Sequence, residues 1–304
     1  MTVAVFDVET IVRDLDGIRT AWRDSQQRQI EPEEREFPSR EAMEHIADQF
    51  KRALFPMRLG PRDMRHENEN FYVGYTLDSA LHELLEQARL ELGYVNRHGA
   101  QDETALDQLA LDRVRQFAAR LPEIRRTLDV DVLAAYQGDP AARSVDEVLL
   151  CYPGVHALIH HRLAHELYAL DLPLLARILA EISHGETGID IHPGAQIGPG
   201  CFIDHGTGVV IGETAILGRN VRLYQAVTLG AKRFAKDADG NLEKGLPRHP
   251  IVEDDVVIYA GATILGRITL GRGATIGGNV WITDDVAPGA TITQAGQLSG
   301  PCDF

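Results

Sequence analysis

The chain has 304 residues, of which 44% are hydrophobic, 25% charged and only 6% aromatic. That is the balance of a soluble globular protein whose core is filled by aliphatic side chains. Thirty Lys and Arg stand against 45 Asp and Glu, a net charge of −15, and without a basic face nucleic acid is excluded as a partner. Cys151, Cys201 and Cys302 are odd in number and far apart, which excludes a disulfide framework. Asp7, Glu9, Arg13 and Asp14 interrupt the apolar N-terminus, so it is no signal peptide, and no stretch is apolar enough to span a membrane. A cytoplasmic protein is expected.

In chain order, the first 35 or so residues close on the polar run Glu31-Pro32-Glu33-Glu34-Arg35-Glu36 and are expected to be loosely ordered. Apolar residues then recur at spacings of three and four. They predict helices over 40–55, 76–92, 102–120, 122–136, 144–151, 155–170 and 173–184. Ser144 with Glu147 forms a capping-box pair, and Pro153-Gly154 breaks the chain after the fifth helix. His156, His160, His161 and His165 share the sixth helix, but at 100° per residue they divide between opposite sides. They cannot converge on one ion, and no metal site is expected.

From Ile191 the period changes to six. Ile191, Ile197, Ile203, Ile211, Leu217, Leu223 and Leu229 form one series, resumed by Val252, Ile258, Ile264, Leu270, Ile276 and Ile282. Four residues after these starts stand small or β-branched residues: Ala195, Cys201, Thr207, Ala215, Val221, Val227, Val256, Ala262, Ile268, Ala274, Val280 and Val286. Gly194, Gly200, Asn220, Gly261, Gly273, Asn279 and Asp285 mark turns that require positive φ. Six residues make one short strand and one turn, so three units close a triangular coil. The fold class read here is α+β. A helical domain over 1–187 precedes a parallel β-helix over 188–298 of about four coils, and 299–304 form a short tail.

The period breaks twice. Ile203 to Ile211 holds two extra residues within Asp204-His205-Gly206-Thr207-Gly208, and Leu229 to Val252 releases an excursion loop over 230–250 that returns at Pro247-Arg248-His249-Pro250. Breaks in a regular scaffold are where side chains leave the wall and chemistry collects.

Several motifs, in order, carry a family resemblance. They are Gly138-Asp139-Pro140, Tyr152-Pro153-Gly154, Arg162-Leu163-Ala164-His165-Glu166-Leu167, Gly188-Ile189-Asp190-Ile191-His192-Pro193, Ile203-Asp204-His205-Gly206-Thr207-Gly208, Gly212-Glu213-Thr214, Thr228-Leu229-Gly230-Ala231 and Arg248-His249-Pro250. Over roughly 130–295 the chain resembles serine O-acetyltransferase, and residues 1–120 carry no motif. The resemblance implies a left-handed β-helix and acetyl transfer from acetyl-CoA to the hydroxyl of L-serine, with no permanently bound cofactor. It implies His205 as general base with Asp190 orienting it. Asp139 and Asp204 would hold the serine amino end, Arg248 its carboxylate, and His249 and Glu213 would assist. Gly230, Ala231, Ala260 and Gly261 match the pantetheine path between subunits of a trimer or dimer of trimers. In the excursion loop Lys232, Arg233, Lys236, Lys244 and Arg248 face Asp237, Asp239 and Glu243, a modest surplus for CoA phosphates.

Three other readings fall behind. A sugar acceptor leaves Asp139, Asp204 and Arg248 without a zwitterion to bind, whereas a homoserine-like acceptor would satisfy them and stays as the alternative. A hexapeptide carbonic anhydrase needs a close histidine partner after His249, where the chain reads Val252-Glu253-Asp254. A scaffold without catalysis leaves both breaks unexplained. One departure stands out: the family's tail ends in isoleucine and enters O-acetylserine sulfhydrylase, whereas this chain ends in Cys302-Asp303-Phe304, so the resemblance does not carry that partner over.

Overall fold

A computed structural model describes residues 6–25, 37–96, 102–233 and 240–294. The run 31–36, the loop residues Lys236, Asp237 and Asp239, and the tail with Cys302 lie outside the described residues. Residues up to Glu36 and those from Phe37 onward form two compact units. The first contains helix α1 (Val8–Ser25), where loose order is expected from composition. Its Val8, Ile11, Leu15, Ile18 and Trp22 repeat at three and four and are all exposed, a helical period that the polar run downstream obscures.

In the second unit come α2 (Arg40–Leu54), α3 (Pro56–Leu59), α4 (Glu69–Asn96), α5 (Glu103–Gly138), α6 (Val145–Cys151), α7 (Pro153–Ala169) and α8 (Pro173–Thr187). Ser39 accepts the Ala42 amide to open α2, and Ser144 accepts that of Glu147 to open α6. The Glu147 carboxylate reaches back to the Arg143 amide, one residue before the usual partner in a capping box. The expected break at Pro122 does not occur, and α5 runs through it. Pro122 faces solvent and Ala118, whose carbonyl loses its amide partner, is only partly buried, so that oxygen is open to water rather than buried unpaired. Met43, Ile46, Phe50, Leu84, Phe117, Leu128, Leu163 and Leu175 fill the core between these helices. Glu91 of α4, itself buried, accepts the Leu174 and Leu175 amides and so caps α8, whose own N-cap is a leucine.

From Asp190 the chain winds through short strands that stack in parallel. One face holds β1 (Asp190–Ile191), β4 (Val210–Ile211), β7 (Thr228–Gly230), β10 (Thr263–Leu265) and β13 (Trp281–Ile282). The second face holds β2 (Gln196–Ile197), β5 (Ile216–Leu217), β8 (Ile251–Val252) and β11 (Thr269–Leu270). The third holds β3 (Phe202–Ile203), β6 (Arg222–Leu223), β9 (Val257–Ile258), β12 (Thr275–Ile276) and β14 (Thr291–Ile292). Every residue of the first six-residue series is buried except Ile197, which is partly so. Register is Ile191↔Ile211↔Leu229↔Ile264↔Ile282 on the first face, so like residues stack into one aliphatic column.

Three details depart from the expected pattern. Thr207 is exposed, and Val209 fills the small inner slot instead, because the two inserted residues push the inward position along. Gly194 and Asp285 do not have positive φ. A Cβ on Gly194 would stand 3.0 Å from the Glu213 carbonyl oxygen, so that glycine serves close approach between coils. Asp285 accepts the Thr269 amide. Finally, Val286 pairs with Leu270 and Ile292 with Ile276, so the last coil is two residues shorter than the eighteen-residue turn.

The helices dock on the first coil. Ala157 and Leu158 of α7 are buried in the β-helix core, and Gly154 lies so close that a Cβ would fall 2.1 Å from the Ile203 carbonyl oxygen. Asp131 of α5, fully buried, accepts two hydrogen bonds from Arg162 of α7 and one each from the Gly200 and Cys201 amides. Arg162 donates further to the Ile197 and Gly198 carbonyls. Four of the five guanidinium N–H groups and both carboxylate oxygens of this buried pair thereby find partners across the junction.

Candidate active site

The turn between the third and first faces carries the two-residue insertion. His205 there has φ 59°, a left-handed conformation uncommon for a side-chain-bearing residue but one that histidine adopts more readily than most. That geometry throws the imidazole off the wall, leaving it 70% exposed, with Nε2 3.8 Å from Asp204 Oδ1. Asp204 is buried, and its Oδ2 accepts from Arg222 at 2.8 Å. The Arg222 guanidinium is sandwiched by rings, 4.8 Å from the centroid of Phe202 and 4.7 Å from that of Tyr224. Asp139, at the C-cap of α5, accepts from the Tyr152 hydroxyl and from the Ala141 amide. The Tyr152 hydrogen bond, then that of the amide, hold its carboxyl below the ordinary range, with Arg222 and His205 adding to the effect. One corner therefore presents an exposed imidazole among two carboxylates and a guanidinium.

Asp190 opens the first strand beside this corner. Its amide donates to the Val209 carbonyl, and the Gly208 amide donates to that of Gly188. Its carboxylate makes no hydrogen bond to His205 within the chain. Instead it shares a cluster with Glu181 and His184 whose donor atoms all lie within 4.8 Å of one another.

Arg248, His249 and Glu213 gather at a different corner, between the first and second faces. Arg248 Nη2 donates to Glu213 Oε2 at 2.6 Å, and the Tyr168 hydroxyl donates to Oε1 at 3.0 Å. Burial alone would raise the Glu213 carboxyl, but these two hydrogen bonds together with the charges of Arg248 and His192 outweigh it and hold it below its ordinary value. The His249 ring lies flat on Gly212, where any Cβ would fall 2.1 Å from it. Its Nδ1 accepts from the Thr214 amide, and burial, then the charge of Arg248, push it down to about 4. His249 is a neutral imidazole at neutral pH. Arg267 donates to the carbonyls of both Thr214 and His249, pinning the returning loop.

The proposed pantetheine residues divide in the same way. Gly230 accepts the Gly266 amide at its carbonyl oxygen and, with Ala231, leaves the first face where the Arg248 corner lies. Ala260 and Gly261 stand on the corner of His205, stacked between Gln225 and Asn279. Lys232, Arg233, Glu243 and Lys244 are exposed. Within one chain, then, His205, Asp139 and Asp204 come together, and Arg248, His249 and Glu213 come together, but the two groups occupy separate edges of the prism. Sequence reading misses Arg222 and Tyr152 as members of the first group. Tyr152 stands inside a quoted motif, whereas Arg222 reaches Asp204 only through coil stacking, which no local spacing announces.

The chain matches the bacterial transferase hexapeptide family (six repeats) over residues 249–284. It is 58% identical over 261 residues to a plasmid-encoded serine acetyltransferase of Synechococcus elongatus, covering 85% of this chain and 82% of that one. The serine acetyltransferase of Bacillus licheniformis is 48% identical over 177 residues, which covers 56% of this chain and 77% of the relative. Among solved structures, Entamoeba histolytica serine acetyltransferase 1 in complex with L-cysteine superposes with a TM-score of 0.69 at 38% identity, covering 81% of this chain and 85% of that one. The Neisseria gonorrhoeae enzyme in complex with serine gives a TM-score of 0.53 at 30% identity, with coverage of 83% and 94%.

Proposed function

The chain belongs to the serine acetyltransferase family, with that family's helical region and left-handed parallel β-helix, and from this premise we propose how its own residues carry the reaction. The enzyme transfers an acetyl group to the hydroxyl of L-serine, giving O-acetyl-L-serine for cysteine biosynthesis; acetyl-CoA is the donor, and no resident cofactor is required.

A thioester is already a good acyl donor, so the difficulty lies in the weak nucleophilicity of a neutral hydroxyl. His205 removes the serine hydroxyl proton as the oxygen attacks the thioester carbonyl. The tetrahedral intermediate collapses with cleavage of the C–S bond, and the imidazolium returns the proton to the departing CoA sulfur. Asp190 orients the other ring nitrogen once the imidazole turns inward over the neighbouring coil. Asp139 and Asp204 receive the substrate ammonium, and the Arg248 fork takes its carboxylate. The neutral His249 and the Glu213 carboxylate hold the Arg248 edge in shape. Pantetheine runs past Gly230, Ala231, Ala260 and Gly261, where small residues admit the arm.

The reading also accounts for the two separate corners. A closed trimer of these prisms sets the His205 edge of one protomer against the Arg248 edge of the next, and serine binds between them. Among the described residues no helix is long and apolar enough to cross a membrane, which suits an enzyme that meets both substrates in the cytoplasm.

The observation that carries the mechanism is the exposed, left-handed His205 beside two carboxylates. The test is CoA release from acetyl-CoA with L-serine, for wild type and His205→Ala, with threonine and a sugar as control acceptors. Loss of a general base is expected to reduce serine-dependent turnover by about 10²–10⁴-fold. Turnover that survives the substitution removes His205 from the mechanism, and preference for the sugar removes serine.

A further inference from the structure

Outside the acyl-transfer site, α7 and α8 bring together a second set of groups with donor chemistry. His156 and His160 stand one turn apart on α7, with ring centroids 4.5 Å apart. Glu186 of α8 approaches from the side, its Oε2 2.5 Å from His156 Nε2. One donor atom from each of the three lies within 4.8 Å of the others. We propose that His156, His160 and Glu186 form a binding site for a divalent transition-metal ion of the zinc class, bridging α7 and α8.

Two features support this. His160 is buried and its Nδ1–H donates to the His156 carbonyl oxygen at 2.9 Å. That hydrogen bond fixes the tautomer with the lone pair on Nε2, the arrangement that outer-sphere carbonyls impose on metal-bound histidines. Beside His156 and Glu186 lies a cavity of about 370 Å³, also lined by Asp48, Lys51, Cys151 and Tyr152, with room for water in a fourth position.

Two imidazoles and a carboxylate suit zinc or cobalt better than the all-oxygen shells that calcium and magnesium take. Bonds of about 2.0–2.2 Å in a tetrahedron set ligand atoms roughly 3.4 Å apart, so the existing spread of donors needs only side-chain adjustment to close. Lys51, which lines the cavity, opposes this; its ammonium is drawn toward Asp48, 4.0 Å away. The other pair on α7, His161 and His165, faces the opposite side. There the His165 Nδ1 is engaged by the Pro193 carbonyl, and the pair has no carboxylate grouped with it among the described residues.

The test uses the full chain, freed of any tag, stripped with a chelator and titrated with Co²⁺ for visible d–d absorption and with Zn²⁺ against a chromophoric chelator. Wild type is expected to bind one equivalent. His160→Ala and Glu186→Gln should each weaken it at least about tenfold. Glu186 is exposed, so Glu186→Gln keeps the experiment informative should His160→Ala fold poorly. His184→Asn, in the cluster with Glu181 and Asp190, should bind as wild type does. No stoichiometric uptake by wild type, equal uptake by the variants, or loss of uptake in His184→Asn would each overturn the site. None of these readouts depends on acetyl transfer.

Discussion

At the scale of single residues, Arg222 sets the state of the acceptor corner. It pairs with Asp204, a buried carboxylate that the proposed mechanism also gives to the substrate ammonium. Arg222→Met keeps the stem between Phe202 and Tyr224 but leaves Asp204 without its cation. The expected cost is about 1–3 kcal/mol of stability, measured as a drop in Tm. Serine restores a positive charge beside Asp204, so it should raise the Tm of the variant more than that of wild type. An equal shift in both would take the ammonium away from Asp204. Much of this corner is legible in the chain, because Asp204 and His205 sit in a visible break of the six-residue period. Arg222 is not: its role depends on one coil lying over another, and its own spacing marks it only as an outward residue of a regular strand.

At the scale of elements, α7 carries both a structural and a titrating load. Burial keeps His160 neutral down to about 4, whereas the unfolded side chain protonates near 6.5. The His156 carbonyl bond and Glu186 counter part of this, while the His156 ring and Lys51 reinforce it. Between those two values the unfolded chain binds more protons, so stability falls as pH falls through that window and is flat above it. A gap of this size corresponds to roughly 3 kcal/mol. His249, pushed to the same value by burial over Gly212, acts in the same direction. Burial lowers His161 well below its ordinary value as well. In chelator, urea midpoints at about pH 7 and pH 5 should separate clearly for wild type, and His160→Gln should remove about a third of that separation. An unchanged separation would mean that His160 is hydrated in the native state. The helices themselves are legible where apolar period and caps agree, as in α2, α6 and α8. The unbroken α5 is not, since Pro122 reads as a stop unless its exposure is known. The second series fails at Thr207 for a related reason, because an insertion shifts which residue faces inward.

At the scale of the whole molecule, two half-sites lie on two edges of one prism, and the mechanism requires that neighbouring protomers complete them. Two inactive variants, His205→Ala and Arg248→Ala, test this directly. When they are unfolded, mixed in equal amounts and refolded, a site formed between neighbours is intact whenever the His205 donor lacks one lesion and the Arg248 donor lacks the other. About a quarter of wild-type turnover should return by random assortment in a cyclic trimer. A site confined to one chain would recover nothing, since every chain carries a lesion. The periodic text reveals the prism and its breaks, but not which corners face each other. That depends on assembly, which lies beyond any single-chain spacing.

The docking of α5 and α7 on the first coil has a consequence for solubility. A stack of parallel strands ends in a row of unpaired amides and carbonyls, an open template onto which another chain can add. Here Asp131 takes the Gly200 and Cys201 amides, Arg162 takes the Ile197 and Gly198 carbonyls, and Ala157 with Leu158 cover the aliphatic column. Guanidinium and carboxylate thus occupy the positions that the backbone of an added strand would fill, and the helical region works as a terminator of polymer growth as well as a wall of the acceptor corner.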